Sequence, residues 1–421
     1  MKFLYSDIGT AKDNKISPIH NWYKFTAGFS HRFVDEIIRM ENLNNSTSKI
    51  FDPFAGCGTT LVSSQKIGVP AVGNEAQEFM YDVIRAKLNW KLDHTEFDNY
   101  LQYIKSEMLT GISSFDLVKT PHPLLKTLYT SDTLAKLYLI KKAILSISSW
   151  KYKLFFKLAL SQTLHKVSIY PIAVPYISRN RYLSHTDKPW EFFETISKQM
   201  LTDTIQHSKN KKTSKIYLQD SRTNNTNIED NECNLCITSP PYLNNLDYGE
   251  VSKVHTHFFD ITDNWNDITK YVRKKLVTGA TTHYVESDFV IEEFKKTEFY
   301  LNNINIAKDI IAITKRIKSI SVERSGKKSY DILTLFYFQD MYAVFKEIRR
   351  VIRNNSNTYL ILGDSAPYGV YVHTTKILGQ ISQNAGFGTY NIYKIRSRGT
   401  KWKTLRFRHN LKLSENVLVL K

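Results

Sequence analysis

An α/β fold is predicted for this 421-residue chain on three observations. Short apolar runs that stop at turn residues recur at positions 49–52, 232–238 and 359–363. Amphipathic helical runs fall between and after them. A last pair of strand-like runs, 390–395 and 415–420, suits a terminal antiparallel hairpin. Hydrophobic content of 42% is ample for a sizeable core, and the length fits one core carrying large insertions. The first 18 residues are too polar for a signal peptide and no long apolar run occurs, so a soluble cytoplasmic protein without membrane contact is expected. Three cysteines argue for a reducing compartment; Cys233 and Cys236 have no second pair with which to hold zinc, and no metal is expected. A net charge of +18 implies a polyanionic partner, unless it reflects only a lysine-rich composition.

The elements follow in order. Ser30 is a candidate N-cap for a helix with Phe33, Ile37 and Met40 on one face. The run 49–52 leads into Phe54, Gly56 and Gly58, glycines that let backbone approach a ligand and accept positive φ. Thr59 or Thr60 can cap the next helix. A second strand ends at Glu75, the position from which an acid can hydrogen-bond a ribose. A helix over 79–92 presents Phe79, Val83, Ala86 and Trp90 on one face, and helices are predicted over 134–147 and 152–167. Arg179, Arg181, Lys188, Lys211 and Lys212 then make a basic stretch interleaved with Tyr176, Tyr182 and Trp190, either a nucleic-acid contact or a solvated face. A short strand over 215–222 carries Asp220 at its end. The run 232–238 stops at Ser239, Pro240, Pro241 and Tyr242; proline gives no N–H to a ladder, so the chain leaves the sheet stiffly there. Residues 260–329 are polar and lysine-rich, with a basic loop at 324–328. Helices over 336–351 and 374–385 flank the strand at 359–363. Between the hairpin strands, residues 394–412 hold eight lysines or arginines and no acid; Arg396, Arg398, Lys401, Lys403, Arg406 and Arg408 are the best candidate backbone-phosphate contacts.

The glycine loop from Phe51 to Thr60 and the Thr238-Ser239-Pro240-Pro241-Tyr242 stretch together resemble the S-adenosylmethionine-dependent DNA amino-methyltransferases, which make N4-methylcytosine or N6-methyladenine. The resemblance covers about half of the chain and is weak across both insertions. It implies a Rossmann-like methyltransferase sheet with a terminal antiparallel hairpin and two large insertions, S-adenosyl-L-methionine as cofactor, duplex DNA as partner, and a cognate restriction endonuclease as a further candidate. Phe29, Ser30, Phe51, Asp52, Pro53, Phe54, Gly56, Gly58, Thr59, Glu75 and Asp220 become candidate cofactor contacts, and Asn245, Asp247 and Tyr248 candidates for shaping the base pocket. The chemistry suits the turn. An exocyclic amine is a poor nucleophile because its lone pair is delocalised, and acceptors at Ser239 and the Pro240 carbonyl would localise it while Tyr242 stacks on the extruded base.

The implied division is 1–92 for the first part of the core with its cofactor loop, 93–214 for a mainly helical insertion, 215–259 for the core with the tetrapeptide, 260–329 for a second insertion and candidate DNA reader, and 330–421 for the end of the core. Serine before Pro-Pro-Tyr favours cytosine N4; adenine N6, an RNA substrate or a non-catalytic DNA-binding subunit are the alternatives. None of the three cysteines stands after a proline, as a C5-cytosine nucleophile would in its family.

Overall fold

The computed structural model describes residues 8–25, 27–43, 47–111, 121–173, 176–184, 186–207, 213–283, 291–323, 328–398 and 411–421. Seven strands build its main sheet: β1 (Ile50–Asp52), β2 (Ala71–Glu75), β3 (Lys215–Leu218), β4 (Leu235–Thr238), β5 (Thr358–Gly363), β6 (Tyr390–Arg398) and β7 (Leu413–Leu420). Their order is β3-β2-β1-β4-β5-β7-β6. The first five pair in parallel, and β7 runs antiparallel to both β5 and β6. Every residue of β1, β2, β4 and β5 is buried, as continuous apolar runs covered on both faces require. Strand order reverses between β1 and β4. Their carboxyl ends therefore open onto a shared crevice, where α/β sheets place ligands.

β4 begins later than the apolar run suggests. Asn234 exchanges hydrogen bonds with Lys49, through its side chain and its amide, and Cys233 keeps only an isolated bridge to Ile352.

Helix α1 (His31–Met40) is capped by Ser30, whose side chain accepts from the Arg32 amide. Phe33 and Ile37 are buried, but Met40, the last helical residue, runs past the covered face and is 41% exposed. Helix α2 (Thr59–Ile67) starts one residue earlier than a threonine cap would allow; Gly58, at φ +84°, occupies the cap position. Helix α3 (Glu78–Leu88) stops before Trp90, which is buried and donates to the Lys87 carbonyl.

Between β2 and β3, helices α4 (His94–Gly111), α5 (Ser131–Ser146), α6 (Trp150–Lys166) and α7 (Pro189–Ile205) share one apolar cluster with α3 and Trp22. Helix α8 (Ile304–Glu323), in a stretch read from sequence as polar, buries Ala307, Ile310 and Ile317 in the cluster of α9 (Tyr330–Val351). Helix α10 (Thr374–Asn384) packs on the β6–β7 hairpin. Among the described residues, no helix is long and apolar enough to cross a membrane.

Candidate active site

A cavity of about 770 Å³, counted out to its mouth, lies at the carboxyl ends of β1, β2 and β4. One wall is the glycine loop. Gly56 adopts φ +55°, and a Cβ there would stand 3.3 Å from the Phe25 ring, so the loop needs glycine for both conformation and space. The Gly56 amide donates to Glu75 Oε2 at 2.9 Å, and Glu75 Oε1 accepts from the Gln77 amide at 2.9 Å. Burial pushes the Glu75 carboxyl up to about 7 against those two amide bonds.

Beneath the loop, Asp52 ties its strand to the tetrapeptide strand. Thr238 Oγ1 donates to Asp52 Oδ1 at 2.6 Å, and the Phe54 amide donates to the same oxygen at 3.0 Å. Burial lifts Asp52 to about 6, opposed by the bonds from Thr238, Thr60 and the Phe54 amide. Both side chains are fully buried. This bond links the two sequence motifs directly.

Most of the predicted cofactor contacts converge. Phe29, Pro53, Phe54, Gly56, Thr59, Glu75 and Asp220 line the cavity together with Ser239 and Pro241. Four do not reach it. Phe51 and Asp52 are buried beneath the loop, Gly58 serves as the α2 cap, and Ser30 caps α1 while donating to Asp13. Asp220 reaches the cavity with its carboxylate engaged, because the Arg222 guanidinium and amide bond both of its oxygens. Arg222 also pairs with Asp340, whose carboxylate accepts from Thr278.

The tetrapeptide is held from several sides. Ser239 Oγ donates to the Ile361 carbonyl at 3.2 Å, and the Pro241 carbonyl accepts from the Tyr337 hydroxyl at 3.0 Å. Pro240 is buried and does not line the cavity. Tyr242 was expected to offer its ring to a base. Instead it is 9% exposed, its hydroxyl donates to Glu415 Oε1 at 3.1 Å, and the Arg398 guanidinium stands over the ring, 4.9 Å from its centroid.

The basic candidates divide accordingly. Arg179 and Arg181 are exposed, as is Tyr182, whereas Trp190 is buried against Phe193. Arg396 pairs with Glu415, and Arg398 turns inward to Tyr242 and the Asp364 carbonyl, so neither side chain stands free for a phosphate. Lys211, Lys212, Lys401, Lys403, Arg406 and Arg408 lie outside the described residues.

Sequence reasoning missed several lining residues: Phe25, Gln77, Met80, Leu276 and Val277. The last two belong to the lysine-rich stretch after the tetrapeptide, and their apolar pairing was the available signal. Asp247 does not face the cavity. It caps a short helix, Tyr248–Val251, and is paired with the buried Arg273, which itself stacks on Trp265. Tyr248 does line the cavity, and Asn245 is exposed.

No family model matches the chain. Over 413 residues it is 23% identical to the Type II methyltransferase M.AvaI of Nostoc sp. (strain PCC 7120 / SAG 25.82 / UTEX 2576), covering 91% of this chain and 81% of that protein. It is 20% identical over 437 residues to the Type II methyltransferase M.BsoBI of Geobacillus stearothermophilus, with 91% and 82% covered. The Type II methyltransferase M.MvaI of Kocuria varians is 19% identical over 422 residues, with 93% and 85% covered.

Proposed function

We propose that this chain is a site-specific DNA methyltransferase that moves a methyl group from S-adenosylmethionine to the N4 amine of cytosine in duplex DNA, in the cytoplasm and as the modifying half of a restriction-modification pair. One observation carries the reading: a single cavity is lined both by the glycine loop with Glu75 and by Ser239. The relatives, which align along almost the whole chain, support the same class of reaction. The strand order supports a Rossmann-like methyltransferase sheet, with 93–214 and 260–329 as insertions into it.

The residues present fit such a cofactor. Gly56 offers close backbone approach, Glu75 offers carboxylate lone pairs for ribose hydroxyls, and Phe25, Met80, Leu276 and Val277 offer apolar walls. When bound, S-adenosylmethionine supplies an electrophilic methyl group. Ser239 prepares the nucleophile. Its O–H is spent on the Ile361 carbonyl, which leaves its lone pairs as acceptors for an N–H of the target amine. The Pro240 carbonyl is the second acceptor we assign, although Pro240 itself is buried outside the cavity lining; the carbonyl that Tyr337 pins is the next one, of Pro241. Together they localise the amine lone pair before attack. Serine ahead of Pro-Pro-Tyr favours cytosine over adenine. Arg179 and Arg181 are the exposed candidates for phosphate contact.

The test is transfer of labelled methyl from S-adenosylmethionine to duplex DNA by the wild-type chain and by Ser239→Ala. Loss of one acceptor should slow transfer by roughly 1–3 kcal/mol of barrier. Label on RNA in place of DNA, or full activity in the variant, contradicts the assignment.

A further inference from the structure

The terminal hairpin reaches into the tetrapeptide from the far end of the chain. Glu415, on β7, is 2% exposed. Its Oε1 accepts the Tyr242 hydroxyl at 3.1 Å, and its Oε2 is paired with Arg396 of β6. A buried carboxylate is costly unless its oxygens are matched, and here one is matched by a cation and the other by the phenol. Arg398 lies two residues beyond Arg396 on β6, its guanidinium over the Tyr242 ring and its Nη2 donating to the Asp364 carbonyl at 2.9 Å. At the end of β5, Gly363 leaves space for both; a Cβ there would stand 2.9 Å from Tyr242 Cδ2.

These contacts divide the work. A hydroxyl lies on the ring's own rotation axis, so the bond to Glu415 fixes where that axis points but not the turn of the ring about it. Arg398 and the Gly363 backbone restrict the turn. A buried phenol is a polar group that must find a partner.

We propose, on the basis of the methyl-transfer reading above, that Glu415 is a positioning residue for the tetrapeptide: through the Tyr242 hydroxyl it holds the end of the turn whose Ser239 lines the cavity, and Arg396 holds its carboxylate in place.

The experiment is a double-mutant cycle in kcat at saturating S-adenosylmethionine and duplex DNA, with Glu415→Gln, Tyr242→Phe and the double variant, each checked by thermal melting. Tyr242→Phe removes the phenol donor, and Glu415→Gln leaves one acceptor oxygen where Tyr242 and Arg396 now share two; either change should lower kcat by about two- to tenfold. The double variant should be no slower than the slower single one. A Glu415 that merely supports the fold gives losses that multiply, and that result overturns the proposal. If Glu415→Gln melts, Tyr242→Phe decides alone, and an unaltered kcat in it overturns the positioning role. A wild-type chain that transfers no methyl to DNA overturns the activity and this inference together, whereas an active wild type with multiplying losses overturns only the inference.

Discussion

Thr238→Val probes the bond between the two motifs. Valine matches threonine in shape, so the change leaves no void at a fully buried site and removes one donor from Asp52. A hydrogen bond to a charged group contributes about 1.5–3 kcal/mol, and a neutral one about 0.5–1.5. Which applies depends on whether Asp52, at about 6, is ionised. A carboxyl raised above its unfolded value favours the folded state at low pH and loses that advantage as pH rises through the folded value. Thr238 holds the value down, so its removal moves it further up, and the deficit of the variant must grow with pH. Each unit of upward movement adds about 1.4 kcal/mol to the difference between pH 8 and pH 5. Urea titrations of wild type and variant at both pH values read this directly, because titration of other groups cancels in the comparison. Affinity for S-adenosylhomocysteine should fall as well, since the Phe54 amide hangs on the same carboxylate oxygen. An equal deficit at both pH values, or none, refutes the coupling of the loop to the tetrapeptide through Asp52.

If Glu75 holds the ribose as proposed, its ionised form is the acceptor, so S-adenosylhomocysteine binding should weaken as pH falls through about 7, and Glu75→Gln should flatten that profile in calorimetry. His165 and His255 face each other with Nε2 atoms 3.2 Å apart; burial pushes His165 down to about 4 and His255 well below its ordinary value. Because the unfolded chain takes up protons first, stability should drop as pH falls from about 6.5 towards 4, and His165→Gln should make that drop shallower in thermal melts. Gly56→Ala forces a Cβ against Phe25 at positive φ; it should cost about 1–2 kcal/mol of stability and weaken S-adenosylhomocysteine binding, with unchanged binding contradicting the close approach.

Patterns that local chemistry dictates were legible in the sequence. Buried strands read as apolar runs, the Ser30 cap as a serine before an amphipathic run, and the two motifs as glycine and proline punctuation. What escaped depends on distant partners. Nothing near Arg398 in the chain shows that it would turn inward over Tyr242, because Glu415, Gly363 and Asp364 come from other strands. A basic residue reads as solvated until an acid or a ring from elsewhere claims it. Arg273 is the plainest case: it sits in a lysine-rich stretch and is 1% exposed, between Asp247 and Trp265. Asp247, a loop acid in sequence terms, became its partner for the same reason. The lining residues Leu276 and Val277 were hidden by the lysines beside them, since average polarity over a long window conceals two apolar positions.

The central claim is that the cavity joining Glu75 to Ser239 delivers a methyl group to a cytosine amine. Duplex DNA methylated by the wild-type chain, digested to nucleosides and analysed by mass spectrometry, tests it most directly. N4-methylcytosine is the expected product. N6-methyladenine would contradict the choice of base that rests on Ser239, and unmodified nucleosides would contradict the activity itself.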